Sequence, residues 1–175
     1  PLFQQDRNTS GIRPTADRVR EAIFNILAAH VKGAVALDLF AGTGAFGLEA
    51  LSRGACSTIF IDHHPDAIRL LKKNIDACGM TDAARVIKWD ISRDLNCLKG
   101  IRPRFELVFM DPPYNRNLVQ ATLLHLHASR ALQTGARVVI EHSGDESLTG
   151  NLDGFSMMDQ RKYGKSLVSF FKYVI

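Results

Sequence analysis

Short apolar runs alternate with amphipathic stretches along most of the chain. The apolar runs predict buried strands at 34–40, 57–62, 84–90, 105–111 and 136–142. Apolar residues at helical spacing predict helices at 15–30, 45–53, 65–78 and 117–131, the first capped by Thr15. Two further runs around a Tyr-Gly-Lys turn predict a hairpin of strands 155–163 and 166–174. This order predicts a doubly wound α/β fold, with a seven-stranded, mostly parallel sheet that ends in an antiparallel hairpin.

Composition fits one domain over residues 1–175. The chain is 46% hydrophobic and 23% charged, which is ordinary for a globular protein and excludes disordered or collagen-like classes. No apolar run approaches the roughly 18 residues needed to span a bilayer, and residues 1–15 do not resemble a signal peptide. The three cysteines are about 20 residues apart, a spacing typical of neither disulfides nor zinc. We therefore expect small buried thiols, no metal and a cytoplasmic location.

The first motif with chemical meaning runs from Asp38 to Gly47. It contains Ala41 and the GxGxxG glycines Gly42, Gly44 and Gly47, between a predicted strand and a predicted helix. Such a turn brings the backbone close to a ligand at the carboxyl edge of the sheet. Asp38 would repel a pyrophosphate but suits a cationic amine, such as the methionine end of S-adenosylmethionine. The pattern therefore favours that cofactor over a dinucleotide.

Two later strands also end in carboxylates. Asp62 follows Asp38 by 24 residues and can accept hydrogen bonds from both hydroxyls of a ribose. Asp90 can accept from an adenine amino group, with Ile91 packing nearby. Ordinary alternatives are a helix N-cap for Asp62 and a solvated strand end for Asp90. Together with Asp38 and Asp111, they would place four carboxylates on one edge, which calls for a functional reason.

The most specific motif is Asp111-Pro112-Pro113-Tyr114 after a buried strand. The prolines stiffen the turn, so that the Asp111 carboxylate and the Pro112 carbonyl become two fixed acceptors. Two acceptors suit an NH2 group, and Tyr114 offers a ring on which a planar base can stack. Hydrogen bonds from both N–H groups make an aromatic amine a better nucleophile. We therefore interpret Asp111, Pro112 and Tyr114 as catalytic residues of amine methylation.

These motifs together resemble a Rossmann-like class I S-adenosylmethionine-dependent methyltransferase. The RsmD family, bacterial 16S rRNA guanine-N2 methyltransferases, is matched by IRPTADRVREAIFNIL (12–27), DLFAGTGAFGLEALSRGA (38–55), DPPY (111–114) and RKYGKSLVSFFKY (161–173). The resemblance implies cofactor contacts at Asp38, Gly42, Gly44, Asp62 and Asp90. It implies target-base contacts at Asp111 and Tyr114, and 16S rRNA in an assembled or partly assembled small ribosomal subunit as the partner. Family members carry a further basic N-terminal segment, so residues 1–14 are interpreted as a partial extension.

Charge is concentrated where an RNA could bind. The net charge is +4, and residues 161–175 contain four basic residues and no acidic one. Because phosphates are attracted to basic surfaces, we predict an RNA-binding face on the first helix and the tail, formed by Arg13, Arg18, Arg161, Lys162 and Lys165. The alternative is an ordinary solvated surface. A monomer without metal is expected.

Other functions remain open at this point. A DNA adenine-N6 methyltransferase uses the same Asp-Pro-Pro-Tyr chemistry but usually needs additional chain to read DNA. Enzymes that methylate a glutamine amide carry Asn in place of Asp111. A non-catalytic RNA-binding assembly factor would not need the complete motif set, and an NAD dehydrogenase fits Asp38 and Asp111 poorly.

Overall fold

The computed structural model describes residues 13–114, 118–146, 148 and 152–175, without the side chains of residues 13–15. Helices and strands alternate along most of this length. The helices are α1 (Arg13–Ile26), α2 (Ala28–Val31), α3 (Ala45–Ser52), α4 (Pro65–Ala77) and α5 (Leu118–Ser129). The strands are β1 (Val35–Leu39), β2 (Ser57–Asp62), β3 (Ala84–Lys88), β4 (Phe105–Met110), β5 (Leu132–Ser143), β6 (Phe155–Tyr163) and β7 (Ser166–Tyr173). None of the described helices is long and apolar enough to cross a membrane.

The strands form one seven-stranded sheet in the order β3-β2-β1-β4-β5-β7-β6. Strands β1 to β5 pair in parallel, whereas β7 runs antiparallel to both β5 and β6. The predicted doubly wound fold with its C-terminal hairpin is therefore confirmed. The chain order reverses between β1 and β4, and in open α/β sheets a ligand binds outside the carboxyl ends of the strands at this switch point.

Both faces of the sheet are covered by helices. On one face α1 buries Ile23 and Phe24 against β4 and β5, and the Phe109 ring lies 5.2 Å from that of Phe24 and 5.4 Å from that of Phe46. On the other face α5 buries Leu123 and Leu126 in the largest apolar cluster. Because alternate residues of each central strand point to opposite faces, strands buried on both sides are apolar along most of their length.

Several predicted boundaries were wrong. The first helix begins at Arg13 rather than after a Thr15 cap, and it ends at Ile26, so that α2 is a separate short helix. Strand β5 starts at Leu132, four residues before the predicted start. The added residues include Gly135, which has a φ of +91°, and the pairing with β4 shifts register in this segment. This irregularity explains why the apolar pattern did not predict the first part of the strand. Two of the three cysteines expected to be buried, Cys56 and Cys78, are exposed.

Candidate active site

The carboxyl edge of the sheet gathers the predicted acidic residues. In the pairing register Leu39 lies beside Ile61 and Met110, and Met110 lies beside Ile140. Asp62, Asp111 and Glu141 each follow one of these residues, so the segments of β2, β4 and β5 each present a carboxylate at one level. Asp38 lies two residues before that level, on β1 between the strands of Asp62 and Asp111.

The glycine turn between β1 and α3 has an unusual backbone. Phe40, Gly42 and Gly44 have φ angles of 58°, 54° and 80°, and the value at Phe40 is uncommon for a residue with a side chain. A Cβ on Gly44 would lie 2.4 Å from Leu71 Cδ1, and one on Gly47 would lie 2.2 Å from Phe60 Cε1. The last two glycines of the motif are therefore required by helix packing in addition to any ligand contact.

Asp38 is buried against the start of α3. Its Oδ2 accepts the backbone N–H of Gly47 at 2.8 Å, and the residue is 3% exposed. Burial raises the pKa of this carboxyl well above its usual value; the Gly47 bond opposes that shift, while the charges of Asp111 and Asp62 add to it. A buried carboxylate that is costly to ionise is stabilised by a cation beside it.

Asp62 joins the two loops beside it. Its Oδ2 accepts the N–H of Gly42 at 2.9 Å, and its Oδ1 accepts the N–H of His64 at 2.8 Å. The second bond forms a turn that leads into α4, whose N-cap is His64, so Asp62 is not the helix N-cap considered as the alternative. Each carboxylate oxygen has a second acceptor position, so Asp62 can still accept from ribose hydroxyls.

Asp90 lines a groove beyond the end of β3. Strand β3 ends at Lys88, two residues before the predicted end. The Asp90 carboxylate accepts from the Ser92 hydroxyl at 2.6 Å and pairs with Arg93 at 3.2 Å, and chiefly the Ser92 bond lowers its pKa. The groove has a volume of about 480 Å3, and His63 and Trp89 also line it. Ile91, predicted to pack on adenine, points into the core and is 2% exposed.

The Asp-Pro-Pro-Tyr segment follows β4 directly. Asp111 is reached by solvent although protein surrounds most of its carboxylate, and this partial desolvation, followed by the charge of Glu141, raises its pKa to about 7. Pro112 is buried, whereas Tyr114 is 44% exposed, which leaves part of its ring accessible to a ligand. Nothing in the described contacts occupies the outer face of that ring.

Tyr114 is held by two residues that the sequence analysis did not select. Its hydroxyl donates to Glu141 Oε1 at 3.2 Å, and the Ser166 hydroxyl at 2.8 Å must then donate to it, because the phenol has a single proton. Burial raises the pKa of Tyr114 to about 12, and the nearby negative charge of Glu141 contributes. Tyr114 is thus tied to both β5 and β7.

The predicted basic residues divide into two groups. Lys162 and Lys165 are exposed and flank the β6–β7 turn, and Lys165 immediately precedes Ser166, so this turn lies beside Tyr114. Arg161 pairs with Asp159 at 2.9 Å. Arg18 is exposed on α1, and the side chain of Arg13 is outside the described residues. Within the described part of the chain, no group of three or more metal-binding side chains is placed to hold an ion.

Known proteins resemble this chain over most of its length. The family described as "Conserved hypothetical protein 95" matches residues 5–172. Ribosomal RNA small subunit methyltransferase D of Escherichia coli K12 is 37% identical over 141 residues, covering 81% of this chain and 69% of its own. The protein of the same name from Haemophilus influenzae is 33% identical, with coverages of 81% and 73%. A conserved hypothetical protein of Streptococcus pyogenes has a solved structure with a TM-score of 0.79 and 31% identity, covering 88% of this chain and 94% of its own.

The chain belongs to the RsmD family of methyltransferases.

Family membership confirms the resemblance inferred from the motifs. The fold brings most of the predicted site residues to the carboxyl edge of the sheet. Asp38, Asp62 and Asp111 meet there with the glycine turn, whereas Asp90 lies in the adjoining groove. Ala41 is buried, and its N–H donates to the carbonyl of Ile61.

Glu141 and Ser166 were missed for different reasons. Glu141 obeys the same rule that selected the other carboxylates, since it is an acidic residue near the end of a parallel strand, and that rule could have found it. Ser166 begins the antiparallel β7, and only the position of that strand beside β5 brings it to Tyr114.

Proposed function

We propose that this protein transfers a methyl group from S-adenosylmethionine to the exocyclic N2 amine of a guanine in 16S rRNA. The observation that carries the proposal is the position of Asp111-Pro112-Pro113-Tyr114 directly after β4, next to the strand of Asp38 at the switch point. This arrangement offers fixed acceptors and an exposed ring on one side of the edge, and a buried carboxylate on the other.

The residues around the glycine turn fit the cofactor. Asp38 is a buried carboxylate crowded by two others, an environment that a bound cation would relieve. Asp62 retains acceptor capacity for ribose hydroxyls, and the groove beside Asp90 has room for an adenine ring. Gly42, Gly44 and Ala41 complete the proposed cofactor contacts, and Ile91 can add only a backbone contact because its side chain is buried in the core. When bound, S-adenosylmethionine supplies an electrophilic methyl group on a positively charged sulfur.

The Asp-Pro-Pro-Tyr residues act on the target amine. An ionised Asp111 carboxylate and the Pro112 carbonyl each accept one N–H of the amine, which orients the nitrogen lone pair and increases its electron density. Tyr114 stacks on the base through the exposed part of its ring. Its hydrogen bonds to Glu141 and Ser166 hold that ring before the substrate arrives.

The ribosomal substrate is supported by the relatives and by charge. Two relatives are named ribosomal RNA small subunit methyltransferase D, and Lys162 and Lys165 lie on the turn next to Tyr114, where they can contact phosphates. Arg13, Arg18 and Arg161 would extend this face. Because none of the described elements forms a separate sequence-reading unit, we propose that a partly assembled small subunit presents the base to a cytoplasmic, monomeric, metal-independent enzyme.

The test is methylation of small subunits taken from cells that lack their own enzyme of this kind. We expect methyl incorporation into 16S rRNA, mapping to the N2 atom of one guanine, and loss of incorporation in Asp111→Asn. Asp66→Asn, which removes an exposed carboxylate on α4, is the matched control and should keep its activity. Methyl transfer to adenine N6 in DNA instead, or no transfer to subunits or naked rRNA, would contradict the proposal.

A further inference from the structure

Glu141 is more than a support for Tyr114. Only its Oε1 takes part in the hydrogen bond from the Tyr114 hydroxyl at 3.2 Å, and none of the described side chains is recorded as a donor to Oε2. The residue is half-buried and lies on β5 at the level where Asp111 follows β4. Its charge is close enough to Asp111 to raise the pKa of that carboxyl.

Two ionised carboxylates side by side repel each other, and either a proton or a hydrogen-bond donor relieves the repulsion. Ser166 donates to Tyr114 from β7, and the ion pairs that the described arginines form are with acids other than Asp111 and Glu141. A ligand with two adjacent hydrogen-bond donors would satisfy both carboxylates in their ionised form.

Guanine has such an edge. Its N2 amine and its N1–H are neighbouring donors, whereas adenine has an acceptor at N1 next to its N6 amine. A carboxylate facing N1 therefore favours guanine and repels the lone pair of adenine N1. The two bases thus differ at ring atom N1, which lies next to the carbon bearing the amine that Asp111 orients.

We propose that Glu141 is the residue that selects guanine, accepting the N1–H of the target base through Oε2 while Asp111 accepts from the N2 amine. This inference rests on the proposed function, because it takes the N2 amine as the methyl acceptor. No proton is transferred to Glu141, so N1 stays protonated throughout. The hydrogen bond from Tyr114 orients the Glu141 carboxylate. The same tyrosine therefore fixes the plane of the base by stacking and positions the carboxylate that accepts from its N1–H.

The experiment compares two target nucleotides in reconstituted small subunits, guanosine and 2-aminopurine riboside. Both have the N2 amine, but 2-aminopurine has an acceptor at N1. We expect the wild-type protein to favour guanosine in kcat/KM by roughly 10- to 100-fold, the scale of one specific base contact. Glu141→Gln should reduce that preference to within a few-fold of unity, because the amide can donate to N1 of 2-aminopurine while its oxygen still accepts from Tyr114.

Ser166→Ala is the matched control. It removes the other hydrogen bond of Tyr114, so we expect a lower rate on both nucleotides with the preference for guanosine retained. Equal wild-type rates on the two nucleotides would overturn the inference without any variant. An unchanged preference in a folded Glu141→Gln would also overturn it, and in both cases methylation of guanine N2 would still stand. Absence of guanine N2 methylation by the wild-type protein would overturn the proposed function itself.

Discussion

The carboxylate of Asp38 accepts the backbone N–H of Gly47 at 2.8 Å, across the turn that connects β1 to α3. This bond caps a helix whose Gly44 N-cap has no side-chain hydrogen bond of its own. The other carboxylate oxygen of Asp38, Oδ1, accepts no hydrogen bond from the described residues and remains available to a ligand. One side chain therefore serves both the local fold and the proposed cofactor site.

Asp38→Asn separates those two roles. The amide oxygen can still accept from Gly47, and the variant loses a buried charge that is costly to ionise, so we expect the thermal midpoint at neutral pH to stay the same or rise. Loss of the negative charge should weaken S-adenosylmethionine binding by about 1–3 kcal/mol, the scale for removing one partner of a buried polar contact. Calorimetric titration measures the affinity, with Asp66→Asn as the charge-matched control. An unchanged dissociation constant would mean that Asp38 only caps the helix.

The rate of methyl transfer should depend on pH through Asp111. Its pKa is raised to about 7, so below that pH the carboxyl is protonated and offers a donor where the amine needs an acceptor. We expect kcat/KM to rise with pH, to reach half of its maximum near pH 7 and to level off about one unit above that. Glu141→Gln removes a neighbouring negative charge and should move the midpoint to lower pH. A midpoint that does not move would show that Asp111 is not the titrating group.

Asp111→Asn should stabilise the fold at alkaline pH while it abolishes activity. The pKa of Asp111 is raised from 3.8 in the unfolded reference to about 7 in the folded protein, so the folded state binds the proton more tightly and loses stability as pH rises between these values. The variant does not titrate. Urea denaturation should therefore show a higher free energy of unfolding than wild type at pH 8 and little difference at pH 3. Because solvent reaches Asp111, the gain in the free energy of unfolding will be smaller than for a fully buried carboxyl. Equal stabilisation at both pH values would contradict this explanation.

Gly47→Ala should destabilise the protein because the new methyl group meets the Phe60 ring at 2.2 Å. Overpacking of this kind typically costs about 1–3 kcal/mol. Gly144→Ala is the control, since its Cβ would meet only the Lys165 carbonyl at 3.4 Å. Urea denaturation of the two variants gives the comparison. If both behaved alike, α3 could shift on β2 without cost.

Binding of rRNA should depend on salt through Lys162 and Lys165. Replacing both with Gln should reduce the slope of log K against log salt by about one unit for each lost phosphate contact. The double variant Lys72→Gln/Arg85→Gln removes two exposed charges near the opposite edge of the sheet and should leave the slope unchanged. Arg161→Gln should have a smaller effect, because Arg161 is already paired with Asp159. A slope unaffected by the lysine variant would identify this turn as an ordinary solvated surface.

Much of the site could be predicted because its parts are local in sequence. A strand followed by glycines, or by Asp-Pro-Pro-Tyr, specifies its own turn, and parallel strands bring their carboxyl ends to one edge. The expected convergence of Asp38, Asp62 and Asp111 followed from that rule alone. Asp90 was placed less well, because the strand before it ends two residues early and its carboxylate turns to Ser92 and Arg93.

The sequence by itself determined the order of the strands and helices, the glycine turn and the chemistry of the Asp-Pro-Pro-Tyr segment, since these depend on local periodicity and backbone restrictions. Only the tertiary structure decided that Glu141 and Ser166 meet Tyr114. Tyr114 is separated from Ser166 by 52 residues, and they meet because β7 inserts antiparallel beside β5. Such contacts follow from the register between strands, which is set by the packing of the whole sheet.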